Sequence, residues 1–135
     1  MTQPLKPEID RFDPSAPLEG AWTPPASWYT DPRFLDHERR TVFLRSWQAV
    51  GRSDQLVRPG DFFTGELLGN PYVVVQTRSE GVAAFFNVCR HHAAAVCSGA
   101  GSLQEMTCPY HGWTYDLDGH LLRAPKMGKS DLLDP

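Results

Sequence analysis

Cys89, His91, Cys108 and His111 stand in two short pairs, C-x-H and C-x-x-H, separated by residues 92–107. Thiolate and imidazole are the side chains that hold zinc, copper, iron and iron–sulfur centres. Two loops that each carry one of both can close around a single small inorganic group. Two groups suit this donor set. One is a tetrahedral zinc ion. The other is a [2Fe–2S] cluster in which two cysteines hold one iron and two histidines the other. Zinc modules usually pair like with like, C-x-x-C followed by H-x₃₋₅-H, commonly around a helix. Here each pair is mixed, which suits a two-iron rhomb lying between two loops that each reach both irons. Gly99, Gly101 and Gly112 let backbone approach such a group closely, and Pro109 stiffens the second loop.

The elements that must position these loops read mainly as strands. DFFTGELL, PYVVVQT and GVAAFFNV are short and rich in β-branched and aromatic residues. WQAVG, just before them, has the same character. Arg58-Pro59-Gly60, Gly69-Asn70-Pro71 and Ser79-Glu80-Gly81 interrupt the run. WTYDLDGHLLRA reads as a hairpin turning at Asp118-Gly119. Upstream, residues 1–27 hold six of the twelve prolines and read as an extended leader. TDPRFLDHERRTVFLRSW reads as a helix with Asp31 as its cap and Pro32 in its first turn. Phe34, Leu35, Val42, Phe43 and Trp47 would form its apolar face.

Composition narrows the function classes. The chain has 135 residues, 41% hydrophobic and 21% charged, with a net charge of −3. That is an ordinary globular balance with no basic stripe for nucleic acid and no signature for an anionic membrane surface. No apolar run approaches the roughly 20 residues a bilayer span needs. The first residues carry no apolar signal segment. Three cysteines, two of them beside histidines, point to a metal site in a reducing cytoplasm rather than to disulfides. Cys97 is expected to be a free, packed thiol, and His92 a residue of the surface or of the ligands' surroundings.

CRH…CPYHGW resembles the Rieske signature of the large subunits of ring-hydroxylating non-haem iron oxygenases. SWYTDPRFLDHERRTVFLRSWQAVGRSDQL is similar to the segment that precedes the Rieske domain in those subunits. WQAVGRSDQL, DFFTGELLGNPYVVV and FFNVCRH look most like the choline monooxygenase branch. The likeness runs over about residues 27–128. It implies an all-β Rieske-type iron–sulfur domain of small antiparallel sheets with two cluster-binding loops, preceded by an extended leader and one helix. The implied organisation is a leader over 1–30, a helix over 31–46, the Rieske domain over 47–128, and a linker beginning at 129–135. One [2Fe–2S] cluster is implied, with Cys89 and Cys108 on the inner iron and His91 and His111 on the outer.

The family arginine and glycine that follow the first histidine are replaced here by His92 and Ala93. High-potential relatives place serine after the second H-G. Trp113 stands there and has no hydroxyl, which implies a potential toward the low end of the Rieske range. The resemblance further implies electrons supplied by a reductase or ferredoxin, and a mononuclear Fe(II) in a catalytic domain beyond this chain. It implies a homo-oligomer, a trimer, in the full-length form. His37, His92 and His120 form no plausible iron triad with an acid. The expected function is therefore the electron-transfer domain of an oxygenase. A stand-alone Rieske ferredoxin and a zinc-stabilised binding module are the alternatives.

Overall fold

The computed structural model describes residues 5–79, 81–125 and 127. Glu80 of the anticipated turn, residue 128 and the linker over 129–135 lie outside the described residues. The chain divides into two compact units, Met1–Ala49 and Val50–Pro135.

The first unit is helical turns rather than continuous extended chain. It contains α1 (Lys6–Ile9), α2 (Ser27–Thr30) and α3 (Pro32–Thr41). Pro7 does not prevent α1, because the first turn of a helix has no intrahelical use for that N–H. Trp28 orders the leader. Its ring meets Phe12 edge-on at 5.5 Å and stacks on Phe34 at 5.6 Å. Its indole N–H donates to the Glu8 carbonyl. Asp31 caps α3 as expected, accepting from the Arg33 N–H at 3.0 Å. The α-helix is shorter than 31–46. It gives way to a 3₁₀ turn at Phe43–Arg45. Of the anticipated apolar face only Phe34 is buried, while Leu35, Val42 and Trp47 are exposed.

The second unit is two antiparallel sheets. β1 (Asp61–Leu67), β2 (Asn70–Gln76), β3 (Val82–Phe86) and β4 (Ala100–Ser102) form one, in the order β3-β2-β1-β4. β5 (Met106–Thr107), β6 (Thr114–Tyr115) and β7 (Leu121–Arg123) form the other. β1 to β3 and the final hairpin fall where β-branched and aromatic content and turn residues put them. WQAVG does not form a strand. It finds no ladder partner among the described residues, and the Gln48 side chain instead donates back to the Phe43 carbonyl and Ser46.

Strand periodicity builds two cores. Val73 and Val74 are neighbours on β2 and point to opposite faces. Val74 packs with Leu56 and Phe63. Val73 packs with Met106, Trp113, Tyr115 and all three cysteines. The second cluster joins residues of both sheets, so the cysteines sit in the seam between them. At the hairpin turn Gly119 has φ +90° and lies against Phe85, where a Cβ would meet the ring at 2.8 Å. Asp116 closes the turn by accepting from the backbone N–H groups of Asp118 and His120.

Candidate metal centre

The two expected ligand loops come from different sheets. The first follows β3 and the second joins β5 to β6. They share one backbone design. In the first, the Cys89 N–H donates to the Ala94 carbonyl at 2.8 Å and the Ala93 N–H donates to the Cys89 carbonyl at 2.9 Å. In the second, the Cys108 N–H donates to Trp113 at 2.8 Å and the Gly112 N–H donates to Cys108 at 3.0 Å. Each cysteine is thus gripped by the residues four and five positions on. The residue four on must be left-handed in both: Gly112 has φ +76° and Ala93 has φ +58°.

Glycine adopts that conformation freely, whereas an L side chain costs about 1–2 kcal/mol there. Ala93→Gly is therefore expected to stabilise the cluster-loaded protein by roughly 0.5–1 kcal/mol once glycine's larger unfolded-state entropy is subtracted. A raised midpoint in thermal unfolding checks it. No change, or a fall, would mean that the loop carries no strain.

The loops bring the anticipated ligands together as two pairs, cysteine with cysteine and histidine with histidine. Cys89 and Cys108 are buried and free, and they pack in one buried cluster. The rings of His91 and His111 meet edge-on, centroids 4.8 Å apart. His91 Nδ1 and His111 Nδ1 are buried and have no hydrogen-bond partner. Each imidazole is backed by an aromatic ring. Trp113 lies parallel to His91 at 4.8 Å with 4° between the planes, and Tyr110 stacks on His111 at 3.9 Å. His92, exposed, sits closer than expected. Its ring is 3.9 Å from that of His91, and one nitrogen from each of His91, His92 and His111 falls within a 4.8 Å span.

Local fields favour the ligating forms. Burial pushes the Cys89 thiol up, but hydrogen bonds from the Tyr115 hydroxyl, the His91 N–H, Cys108 and the His92 N–H outweigh it and bring the thiol below its ordinary value. Burial lowers His91, and the neighbouring His92 and His111 lower it further, which keeps its imidazole neutral and able to bind metal. Cys97 is the contrast. Burial alone raises it to about 11, so it stays a packed thiol, as the sequence indicates.

Two residues of the site escaped the sequence reading. Asn87, almost fully buried, accepts from the Val96 and Cys97 N–H groups at 3.0 and 2.9 Å and donates to the Cys97 carbonyl at 2.8 Å. It closes the first loop. Tyr115 is also buried. Its hydroxyl accepts from the Arg90 N–H at 3.1 Å and lies 3.5 Å from Cys89 Sγ. Because Arg90 supplies the donor on one side, the hydroxyl hydrogen is free to point at sulfur. Burial and the bond to Cys89 push the phenol up to about 12, so it remains a donor.

The donor set fits a [2Fe–2S] cluster. It offers two buried thiols, one eased toward the thiolate, and two imidazoles whose buried Nδ1 atoms have no partner among the described residues. Tyr115→Phe removes a donor from a ligand sulfur. A hydrogen bond to a charged group contributes about 1.5–3 kcal/mol, and part of that differs between oxidation states. Tenfold in a one-electron equilibrium is about 59 mV. The variant is expected to keep the cluster and to lower its potential by roughly 50 mV, as measured by redox titration. An unchanged potential would show that the hydroxyl does not serve the sulfur.

Comparison with known proteins agrees with this geometry. The Rieske [2Fe-2S] domain family model matches residues 46–133. The chloroplastic choline monooxygenase of Arabidopsis thaliana is 50% identical over 119 residues, covering 88% of this chain and 28% of that protein. The carnitine monooxygenase oxygenase subunit of Escherichia coli K12 is 42% identical over 105 residues, covering 77% of this chain and 28% of its own length. The crystal structure of the quaternary ammonium Rieske monooxygenase CntA with its substrate L-carnitine superposes with a TM-score of 0.76 at 36% identity, over 78% of this chain and 30% of that one. A naphthalene 1,2-dioxygenase from Rhodococcus sp. bound to indole gives a TM-score of 0.74 at 29% identity, over 81% and 25%. The chain thus spans less than a third of the relatives it matches. Its two donor loops, its paired antiparallel sheets and these likenesses agree, and the chain belongs to the Rieske [2Fe-2S] domain family.

Proposed function

We propose that this chain is the electron-transfer domain of an oxygenase large subunit, with Cys89 and Cys108 holding one iron of the cluster and His91 and His111 the other. The observation that carries this reading is the convergence of four donors from two loops, with both imidazoles presenting a buried, unpartnered nitrogen. When bound, the cluster supplies reversible one-electron acceptance and donation. The protein does the rest. Two thiols in the seam between the sheets anchor it. Two neutral imidazoles in place of thiolates leave it with less negative charge and make it easier to reduce. Tyr115 and the backbone amides of His91 and His92 offset charge on the Cys89 sulfur.

In this reading electrons arrive from a reductase or ferredoxin and leave for a mononuclear iron outside this chain, in a homo-oligomer that forms a trimer. A leader over 1–30, a helical segment over 31–46, the cluster domain over 47–128 and a linker from 129 organise the chain. No described helix is long and apolar enough to cross a membrane, and a cytoplasmic setting suits free thiols. The names of the choline and carnitine monooxygenases favour a quaternary ammonium substrate for the whole protein.

Anaerobic purification tests the reading. A red-brown protein is expected, with iron and labile sulfide in equal amounts. Dithionite, or a reductase with NAD(P)H, should bleach it and air should restore it. Incubation of this chain with choline or carnitine should give no product, because oxygen activation needs an iron with open positions. A colourless protein with stoichiometric zinc and no sulfide would overturn the reading.

A further inference from the structure

Among the described residues, three buried side-chain polar atoms lack a hydrogen-bond partner: His91 Nδ1, His111 Nδ1 and Trp113 Nε1. All three belong to the two loops of the centre. Buried polar groups in folded proteins almost always find a partner, and an exception calls for an explanation such as a bound ion. The two imidazole nitrogens have one if they ligate iron. The indole does not, because its N–H is a donor only and cannot ligate. It requires an acceptor.

Trp113 is held at the centre from several sides. It is 5% exposed. Its ring lies parallel to that of His91, with 4° between the planes. Its carbonyl takes the Cys108 N–H at 2.8 Å. It packs in the same cluster as Cys89 and Cys108. Its ring thus touches both the His91 imidazole and the buried cluster that contains the two thiols. The acceptors which a [2Fe–2S] cluster brings there are sulfurs.

We propose that the Trp113 indole N–H donates a hydrogen bond to a sulfur of the cluster, so that one bound group satisfies all three unpartnered atoms. The inference rests on the cluster reading above. It makes Trp113 a positioning and redox-tuning residue. Reduction adds negative charge to the sulfurs, and an N–H donor stabilises that charge more than it stabilises the oxidised form. Trp113 therefore supplies from its ring a donor that its lack of a hydroxyl would otherwise deny the centre. It acts separately from Tyr115, which serves Cys89.

The test uses the cluster-loaded protein with tryptophan labelled by nitrogen-15 at the indole nitrogen. Pulsed EPR of the reduced cluster should show a nitrogen-15 coupling from the label. Trp113 is the one tryptophan of the Val50–Pro135 unit, and Trp113→Phe, which keeps an aromatic ring on His91, should abolish the coupling. The same variant should make reduction about tenfold less favourable, a fall of about 59 mV for a one-electron couple. A reduced cluster with no label coupling overturns the inference, as does a Trp113→Phe protein with an unchanged potential. If that variant cannot hold a cluster, the coupling in the unsubstituted protein decides alone. Purified protein without iron and sulfide would instead overturn the cluster reading, and this inference with it.

Discussion

Cys89→Ala and Cys108→Ala are each expected to yield a chain without iron or labile sulfide, and His91→Ala and His111→Ala to do the same. The two thiols lie together in the seam between the sheets, both nearly inaccessible. An alanine there leaves an iron one anionic ligand short, with no described acidic side chain grouped alongside to replace it. Nor can water easily fill the position, since Met106, Trp113 and Tyr115 pack around it. The histidine variants open the other side and remove a nitrogen that has no other partner among the described residues. Loss should be close to complete in all four, because binding at such a site is coupled to the order of the loops that form it.

His92→Ala and Cys97→Ala are the contrasting pair, expected to retain colour, iron and sulfide. His92 makes this a sharp comparison, since the fold places its ring within reach of both other histidines. Iron and sulfide assays with EPR of the reduced form read the outcome. If His92→Ala lost the cluster while His91→Ala kept it, the assignment of the first loop's imidazole would have to move by one residue.

What the sequence disclosed follows from the range of the interactions involved. Cys89 with His91 and Cys108 with His111 stand out in the sequence because chelation imposes short local spacing, and the fold sets the two cysteines in one cluster and the two histidines ring to ring. Asp118-Gly119 was readable because a tight turn constrains φ, and Gly119 indeed has φ +90°. β1 to β3 were readable because β-branched and aromatic residues run between clear turn residues, and their buried side chains feed two cores. β4 and β5 were not, being three and two residues long. β4 is a strand only because Asp61–Phe63 lies beside it. The same limit explains WQAVG, which has strand composition and no ladder partner among the described residues. The leader's helical turns were missed for a related reason, because Phe12 and the Glu8 carbonyl meet Trp28, a contact that local proline content does not reveal. Tyr115 carried no local signal either, since its hydroxyl serves a cysteine that lies 26 residues away.

Asn87 gives the second large expected effect. Its amide makes three hydrogen bonds to the Val96 and Cys97 backbone, spanning the base of the loop that holds Cys89 and His91. Its own N–H donates to the Pro71 carbonyl, which ties that base to the start of β2. Asn87→Ala would leave two backbone N–H groups and one carbonyl without partners in a region closed to solvent. Each such group costs about 1–3 kcal/mol. Partial relaxation and water entry would recover some of this, so a net loss on the order of 3–5 kcal/mol is expected. A domain of this size has about 5–15 kcal/mol in all. The loop should therefore open often, and the variant is expected to release iron to a chelator at least about tenfold faster than the unsubstituted protein, with a lower unfolding midpoint. Cys97→Ala separates the causes. It keeps the Cys97 backbone groups that Asn87 grips and removes only a packed thiol, so iron release should change little. Equal acceleration in both variants would show that packing around Cys97, rather than the amide of Asn87, holds the first loop closed.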